Sequence, residues 1–277
     1  MSQVPKLIDA HTHVQFVAYK DDRDEVIKRS LDAGVWMVNV GTQLDTSLEA
    51  IKLAEKYSEG VYATVGLHPV HTDKSFHDQA ELGEGGVEFT SRGEVFNYEE
   101  YKKLAVHPKV VAIGECGLDY YHSAESRKKQ EEAFIKHIEL AYEVKKPLMI
   151  HCRKAFEDLI NVLRDNRHRL QTVPGIIHFF SGDLKQATML LDMGFYFTFG
   201  GVVTFTRDYD EIIKTVPINR LLLETDAPYV TPAPYRGQRN ESVYVMEIAK
   251  KIGEIKNIDF EEVSHHTVEN ARSVFHI

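Results

Sequence analysis

Short apolar runs rich in β-branched residues alternate along the chain with longer amphipathic stretches, a pattern typical of repeated βα units. The short runs are nearly continuous in apolar residues, as expected for strands buried on both faces. In the longer stretches apolar residues recur at helical spacing, as Phe134, Ile138 and Ala141 do, and charges fill the other face. Eight strands are predicted, over Leu7–Ala10, Val35–Val40, Val61–Val65, Val110–Gly114, Pro147–Ile150, Gly175–Ile177, Phe195–Phe199 and Leu221–Leu223.

This alternation predicts an α/β fold with a parallel sheet, because parallel strands need crossover connections. Eight units in 277 residues match a (β/α)8 TIM barrel, with a single domain over residues 1–277. An open doubly wound sheet fits the same alternation and is the alternative. The longest connection is a predicted surface excursion over about residues 70–109, which contains a Gly/Glu-rich piece near 81–94 and precedes a short helix that begins near Asn97.

One helix start is predicted in detail, at the segment from Thr46 to Glu49. Thr followed three residues later by Glu is the pattern of a capping box, in which each side chain bonds the backbone amide of the other residue. We therefore expect this helix to begin at Thr46, with Leu48, Ile51 and Ala54 on its buried face.

Composition narrows the class of protein without identifying it. Hydrophobic residues make up 43% and charged residues 27%, as in ordinary globular proteins. A formal net charge of -9 argues against coating nucleic acid or an anionic membrane through bulk positive charge. The two cysteines, Cys116 and Cys152, exclude a disulfide framework and read as packing residues in a reducing compartment. We expect a cytoplasmic protein, with a nuclear location still open and with no membrane association.

Polar side chains stand at or just after the carboxyl ends of six of the eight predicted strands. The first strand leads into His11 and His13, which share one side with Asp9 because strand residues alternate between faces. In a barrel, the carboxyl ends of the strands meet at one rim, where barrel enzymes place their chemistry. The other polar residues at this rim are His68, Glu115, His151, His178 and Asp226.

Each of these residues alone has a structural explanation. His68 could be a hydrogen-bonded cap, Glu115 could pair with an arginine, and Asp226 could cap the next helix. Gathered at one rim, however, so many buried polar groups would be costly unless something bound there. The set therefore predicts a metal centre.

Six candidate ligands are too many for one open catalytic site and therefore indicate two divalent metal ions. We expect no organic cofactor. We expect the first ion on His11, His13 and Asp226. The second ion is expected on His151 and His178, with Glu115 bridging both. Two such ions can share a hydroxide that attacks a phosphoryl group, and Asp226 can take its proton. Imidazole ligands favour Zn²⁺, Mn²⁺ or Co²⁺ over Mg²⁺, although the identity of the metal stays open.

Several motifs in this chain resemble those of the TatD-related deoxyribonucleases, amidohydrolase-like metal-dependent hydrolases built on a TIM barrel. The resemblance runs from Ile8 to Phe275 and is most specific in two of the motifs, Gly114–Asp119 and Glu224–Tyr229. Three further segments carry it, His11–His13, Ile150–Arg153 and His178–Gly182.

The resemblance implies that the chain hydrolyses phosphodiester bonds of DNA as a 3′–5′ exonuclease, with single-stranded or frayed 3′ ends as the substrate. It also places the metal ligands on the same six residues. Among them, Glu115 and Asp226 are the predicted catalytic carboxylates. One departure is Ser242, which stands where the family often has Pro after an Arg-Asn-Glu segment. The second is the Gly/Glu-rich piece near 81–94, which is longer than usual.

Candidate substrate contacts surround this rim. Arg153 shares the strand face of His151 and could bind a phosphate oxygen, and His68 could contact the same phosphate. In the loop after the eighth strand, two arginines could bind phosphate while Tyr229 stacks on a base; they are Arg236 and Arg239. The alternative is that these arginines are surface charges paired with nearby carboxylates.

Two other classes of function remain open. The same site could hydrolyse an ester or amide, as a D-aminoacyl-tRNA deacylase does. The barrel could also be a metal-stabilised binding surface without activity, although an intact ligand set argues against that reading. The sequence does not indicate an oligomeric state.

Overall fold

Eight parallel strands form a closed barrel in the computed structural model, which describes residues 4–74, 76–77, 89–90, 92–122 and 124–277. The barrel strands are β1 (Leu7–Thr12), β2 (Val35–Val40), β3 (Val61–Val65), β6 (Val110–Asp119), β7 (Leu148–Arg153), β8 (Gly175–Ile177), β9 (Tyr196–Phe199) and β10 (Leu221–Leu223). They follow one another around the barrel as β1, β10, β9, β8, β7, β6, β3 and β2. The predicted (β/α)8 barrel is therefore confirmed, and the open sheet is wrong.

Helices follow the barrel strands in the described part of the chain. They are α1 (Arg23–Asp32), α2 (Leu44–Glu55), α3 (Tyr98–Ala105), α4 (Arg127–Val144), α5 (Phe156–Asp165), α6 (Leu184–Asp192), α7 (Asp210–Thr215), α8 (Val245–Lys256) and α9 (Phe260–Phe275). Short 3-10 helices span Val17–Tyr19, Pro69–Thr72, Ala124–Ser126, Arg167–Arg169, Gly201–Thr204, Ile218–Arg220 and Ser242–Tyr244. Within the described ranges, no helix combines the length and apolar character needed to cross a bilayer.

Helix α2 begins earlier than the sequence predicts. Its N-cap is Gln43, and the Oγ1 atom of Thr46 accepts hydrogen bonds from the amides of Thr42 and Gln43, both at 2.9 Å. The predicted cap at Thr46 is wrong because its hydroxyl bonds backwards to amides that precede it. On the predicted buried face Ile51 and Ala54 are buried, but Leu48 is 40% exposed.

The excursion over about residues 70–109 is described only in part. Two short strands, β4 (Phe76–His77) and β5 (Phe89–Thr90), form an antiparallel pair. Most of the Gly/Glu-rich piece near 81–94 lies outside the described residues. At its end, the carboxylate of Glu94 accepts from the hydroxyl of Tyr101 at 2.6 Å, which joins the excursion to α3. This helix has Asn97 as its N-cap, as predicted.

The barrel strands have one face toward the helices and one toward the barrel interior. On the outer face, Leu7 and Met37 share a core with helix residues such as Val26 and Ile51. The other face forms a separate apolar cluster with residues of α9; its strand members include Ile8, Val38, Ala112, Met149, Ile176 and Leu222. Because helices already cover the first face, this second face lines the barrel.

Helix α9 covers the amino ends of the strands. Asn270, on this helix, donates to the carbonyl of Leu221 at the start of β10 over 2.7 Å. Two residues beyond the apolar interior positions Met149 and Ile176 come His151 and His178. The two-residue period of a strand therefore carries these imidazoles up the same inner face. An apolar floor thus lies below a polar layer at the carboxyl rim.

Candidate metal centre

The six predicted metal ligands come together at the carboxyl ends of the barrel strands, and His68 joins them. His11 lies within β1, Glu115 within β6 and His151 within β7, and His178 follows β8 directly. The other members, His13, His68 and Asp226, follow β1, β3 and β10. The structure thus unites side chains that are up to 215 positions apart in the sequence.

Glu115 occupies the middle of this cluster. Its Oε2 atom lies 3.5 Å from Nε2 of His11. Its Oε1 atom faces other histidines, at 2.9 Å from Nε2 of His178 and 3.2 Å from Nδ1 of His151. The two carboxylate oxygens are therefore directed at two different sets of imidazoles.

The first set surrounds Oε2 of Glu115, and we call it the first group: His11, His13 and Asp226. The Nε2 atoms of the two histidines are 3.2 Å apart. Oδ1 of Asp226 lies 3.7 Å from Nε2 of His11 and 3.5 Å from that of His13. Ligand atoms of His11, His13 and Glu115 all lie within 4.8 Å of one another, close enough to share one small cation.

The second set surrounds Oε1 of Glu115, and we call it the second group: His151, His178 and His68. Nδ1 of His151 and Nε2 of His178 are 3.3 Å apart. Nε2 of His68 lies 3.2 Å from the same carboxylate oxygen. His68 was predicted as a substrate contact, and its proximity to Glu115 makes it a further candidate ligand.

Backbone contacts fix the loop that carries Asp226. Asp226 adopts a φ of 54°, a left-handed conformation that Asp tolerates better than most residues. Its amide donates to the carbonyl of His11 at 2.9 Å, and the amide of His13 donates to the carbonyl of Ala227 at 2.8 Å. The loop after β10 is thus joined to the end of β1, which holds the first group together.

Glycine allows β6 and β7 to approach closely beside Glu115. Gly117 has a φ of 131°, and a Cβ atom built on it would lie 2.1 Å from the carbonyl oxygen of His151. Any larger residue would have to displace the strand that carries His151. The second glycine of the Gly-Glu-Cys-Gly segment therefore supports the placing of the second group.

Hydrogen bonds to the outer ring atoms establish which nitrogens can act as ligands. Nδ1 of His13 donates to the carbonyl of Val40 at 2.8 Å, so the Nε2 atom of the neutral ring carries the lone pair. Nε2 of His151 donates to Oδ2 of Asp119 at 2.9 Å, so Nδ1 carries the lone pair there. Both lone pairs point into the cluster, and outer partners of this kind are typical of metal-binding histidines.

These lone pairs face carboxylate oxygens, which is favourable only with a positive charge between them. Burial lowers the pKa of His13, but the hydrogen bond and charge of Asp226 outweigh it and raise the pKa overall. Burial likewise opposes protonation of His151, but Asp119 and Glu115 raise its pKa. The cluster attracts positive charge, and its nitrogen and oxygen donors fit divalent cations such as Zn²⁺ or Mn²⁺.

Three members of the cluster, Glu115, His68 and His11, are held in their metal-binding forms. Burial opposes protonation of His178, but Glu115 and Glu224 outweigh it and raise its pKa. Burial raises the pKa of Glu115, but the surrounding histidines outweigh this and hold it well below its ordinary value. Burial lowers the pKa of His68 to about 4. Burial and then the charge of His178 lower the pKa of His11. Near pH 7 the carboxylate is thus charged and these two imidazoles are neutral, as metal binding requires.

The predicted substrate residues lie in different surroundings. The guanidinium of Arg153 stacks over Tyr121 at 4.1 Å, and that of Arg236 lies 4.1 Å above Phe205. Tyr229 lies beside the first group, with its ring centroid 6.4 Å from that of His13. All of these phosphate- and base-binding roles stay predictions.

Arg239 is engaged in a network with the segment between β1 and α1. Its guanidinium donates to both carboxylate oxygens of Asp22, at 2.8 and 2.6 Å, and to Glu241 at 3.3 Å. It also donates to the carbonyl of Ala18 at 2.8 Å. These contacts favour the structural alternative for Arg239, a charge paired with nearby carboxylates.

Both cysteines are buried, Cys116 fully and Cys152 to all but 4%. Burial raises the pKa of each thiol well above its ordinary value. Neutral, inaccessible thiols are poor nucleophiles, in agreement with their interpretation as packing residues.

Two carboxylates of the site have no role assigned from the sequence. Asp119 belongs to the Gly114–Asp119 motif and holds His151 through the bond described above. Glu224, at the start of the Glu224–Tyr229 motif, is fully buried next to His178. The signal for Glu224 was its position two residues after Leu222, which continues the inner face of β10.

Comparison with known proteins agrees with the motifs. Residues 8–276 match the family described as TatD related DNase. The uncharacterized metal-dependent hydrolase YabD of Bacillus subtilis is 38% identical over 274 residues, which cover 98% of this chain and 99% of that protein. A protein of Pantoea ananatis named 3′-5′ ssDNA/RNA exonuclease TatD is 32% identical over 277 residues, with 97% and 99% covered. The crystal structure of YJJV, a TatD homolog from Escherichia coli, has a TM-score of 0.83 at 26% identity and covers 99% of this chain and 100% of its own.

Fold, cluster and relatives together define a metal-dependent hydrolase of the barrel class. More narrowly, the chain belongs to the TatD related DNase family. The resemblance found in its motifs is thereby confirmed.

Proposed function

We propose that this protein cleaves phosphodiester bonds of DNA as a 3′–5′ exodeoxyribonuclease that depends on two divalent metal ions. The observation that carries the proposal is Glu115, whose two oxygens face two separate groups of metal-binding side chains. A relative named as a 3′-5′ ssDNA/RNA exonuclease supports nucleic acid as the substrate.

The two groups would hold one ion each, with Glu115 shared between them. Bound there, the ions would supply Lewis acidity toward phosphate oxygens and would lower the pKa of a water molecule. The side chains of His11, His13, Glu115 and His178 are 0 to 5% exposed, whereas that of His151 is 17% exposed and that of Asp226 is 19% exposed. Its carboxylate therefore reaches the mouth of the site, where it can take a proton from the attacking water.

Metal removal tests the proposal directly. A single-stranded oligonucleotide labelled at its 5′ end should shorten progressively from the 3′ end with Mn²⁺ or Mg²⁺ and should stay intact with excess EDTA. Restoring the ion should restore activity. A 3′-phosphorylated strand serves as the control for polarity. Failure of every divalent ion to support shortening would contradict the proposal.

Arg153 distinguishes phosphodiester hydrolysis from the ester or amide alternative. Arg153 lies on β7 two residues beyond His151, and its guanidinium packs on Tyr121. We infer that this guanidinium binds a phosphate oxygen of DNA held at the second group. We expect Arg153→Ala to lower kcat/KM on single-stranded DNA about 10- to 100-fold, the value of one or two charge-assisted hydrogen bonds. Hydrolysis of an uncharged ester such as p-nitrophenyl acetate should not change.

The matched control for Arg153→Ala is Arg164→Ala, since Arg164 is an exposed residue of α5 on the outer layer. It should behave as wild type on both substrates. Full activity of Arg153→Ala on DNA would contradict the proposal that Arg153 binds a phosphate of the substrate. An equal loss on DNA and on the neutral ester would instead favour the alternative function.

A further inference from the structure

Two stacked histidines connect the two groups of the metal centre. The rings of His11, in the first group, and His178, in the second, are 3.9 Å apart with an interplanar angle of 15°. Each ring presents its Nε2 atom to Glu115, at 3.5 and 2.9 Å. Their Nδ1 atoms therefore lie on the edges that face away from Glu115.

Both Nδ1 atoms are buried and have no hydrogen-bond partner among the described residues. A buried imidazole N–H without an acceptor is costly. In a neutral ring whose Nε2 binds a metal, the hydrogen resides on Nδ1. A loaded centre thus creates two buried donors, one in each group, that need an acceptor.

Glu224 lies at this edge of the rings. Its Oε2 atom is 3.5 Å from Nδ1 of His178 and accepts a hydrogen bond from Oγ1 of Thr198 at 2.6 Å. Its Oε1 atom is buried and has no hydrogen-bond partner in the described part of the chain. Ligand-type atoms of His11, His178 and Glu224 all lie within 4.8 Å of one another.

We propose that Glu224 is a positioning residue that holds His11 and His178 together, and so couples the two groups of the metal centre. The carboxylate has two acceptor oxygens for two N–H donors, and Thr198 fixes its orientation. The other acceptors behind the ligand histidines each serve one group. Asp119 accepts from His151, in the second group, and the carbonyl of Val40 accepts from His13, in the first group. This inference rests on the proposed metal centre.

The coupling predicts different outcomes for two isosteric substitutions. In Glu224→Gln, the amide nitrogen is a donor and cannot face a second N–H donor, so one ring must change tautomer or rotate away. Because the rings of His11 and His178 stack at 3.9 Å, a movement of either ring also displaces the other. The affinities for both metal ions should then fall about 10- to 100-fold, the usual effect of losing an outer partner of a metal-binding histidine. In Asp119→Asn only the ion of the second group should be weakened.

The test is a titration of the metal-free protein with Mn²⁺, in which calorimetry measures the affinities. The number of bound ions is then counted after dialysis. Wild type should bind two ions, Glu224→Gln should bind both more weakly, and Asp119→Asn should bind one of them more weakly. Thr198→Val removes the hydrogen bond that orients the Glu224 carboxylate but keeps the carboxylate itself. It should lower the affinity for both ions by a smaller factor, and it replaces Glu224→Gln in the test if that variant does not fold.

Thermal unfolding separates positioning from a purely structural role. The rise in Tm on adding Mn²⁺ should be smaller for Glu224→Gln than for wild type, because that rise reports the affinity for the metal. A lower Tm of the metal-free variant with unchanged metal affinity would overturn the proposal. So would weakening of one ion alone. If the wild type itself bound no metal, the proposed function would fail instead.

Discussion

Replacing Glu115 with glutamine should remove nearly all hydrolytic activity, with kcat/KM on single-stranded DNA falling about 10³-fold. The reason is the position of this carboxylate, which has one oxygen facing each group of histidines. The amide keeps the shape but lacks the negative charge, and its nitrogen would point an N–H at an imidazole or an ion. The measurement is steady-state kinetics at saturating Mn²⁺ with parallel counting of bound ions.

The expected metal content of Glu115→Gln is below the two ions per chain expected for wild type, since a shared ligand is lost. Glu132→Gln is the matched control, because Glu132 is an exposed residue of α4 and should tolerate the same chemical change. Wild-type kinetics in Glu115→Gln would contradict the proposal that this carboxylate is a ligand shared by the two ions.

Replacing Asp226 with asparagine should lower kcat about 10²- to 10⁴-fold, the range for loss of a general base. The carboxylate faces both histidines of the first group, so the variant should also bind the first ion more weakly. Raising the Mn²⁺ concentration should therefore restore ion content but not kcat, because the amide cannot take a proton.

The control for Asp226→Asn is Asp192→Asn, at an exposed position at the end of α6. Full recovery of kcat at high Mn²⁺ would assign Asp226 to metal binding alone. An Asp226→Asn protein that hydrolysed DNA at the wild-type rate at every Mn²⁺ concentration would contradict both roles.

Strand positions and rim residues were predictable because barrel strands combine continuous apolar runs with a two-residue period. All eight predicted runs form barrel strands, and the residues that follow them meet as expected. Three strands are longer than predicted, β1, β6 and β7, and the register shifts within the pairing of β1 with β2 and of β6 with β7. These irregularities change which face a side chain takes. Asp9, predicted on the side of His11, instead accepts hydrogen bonds from Thr225 and lies outside the metal cluster.

The partners of individual side chains were beyond sequence reasoning, because contacts distant in the sequence determine them. Arg239 bonds with Asp22, 217 positions away. The role proposed for Glu224 depends on the stacking of His11 on His178, which no local pattern encodes. The predicted cap of α2 was wrong for a local reason. The hydroxyl of Thr46 accepts from the amides of Thr42 and Gln43, which precede it in the sequence.

Anomalous diffraction from crystals of this protein soaked in Mn²⁺ tests the metal centre most directly. Two peaks should appear, one among His11, His13 and Asp226 and one beside His151 and His178, with Glu115 between them. A single peak, or peaks away from Glu115, would contradict the two-ion centre.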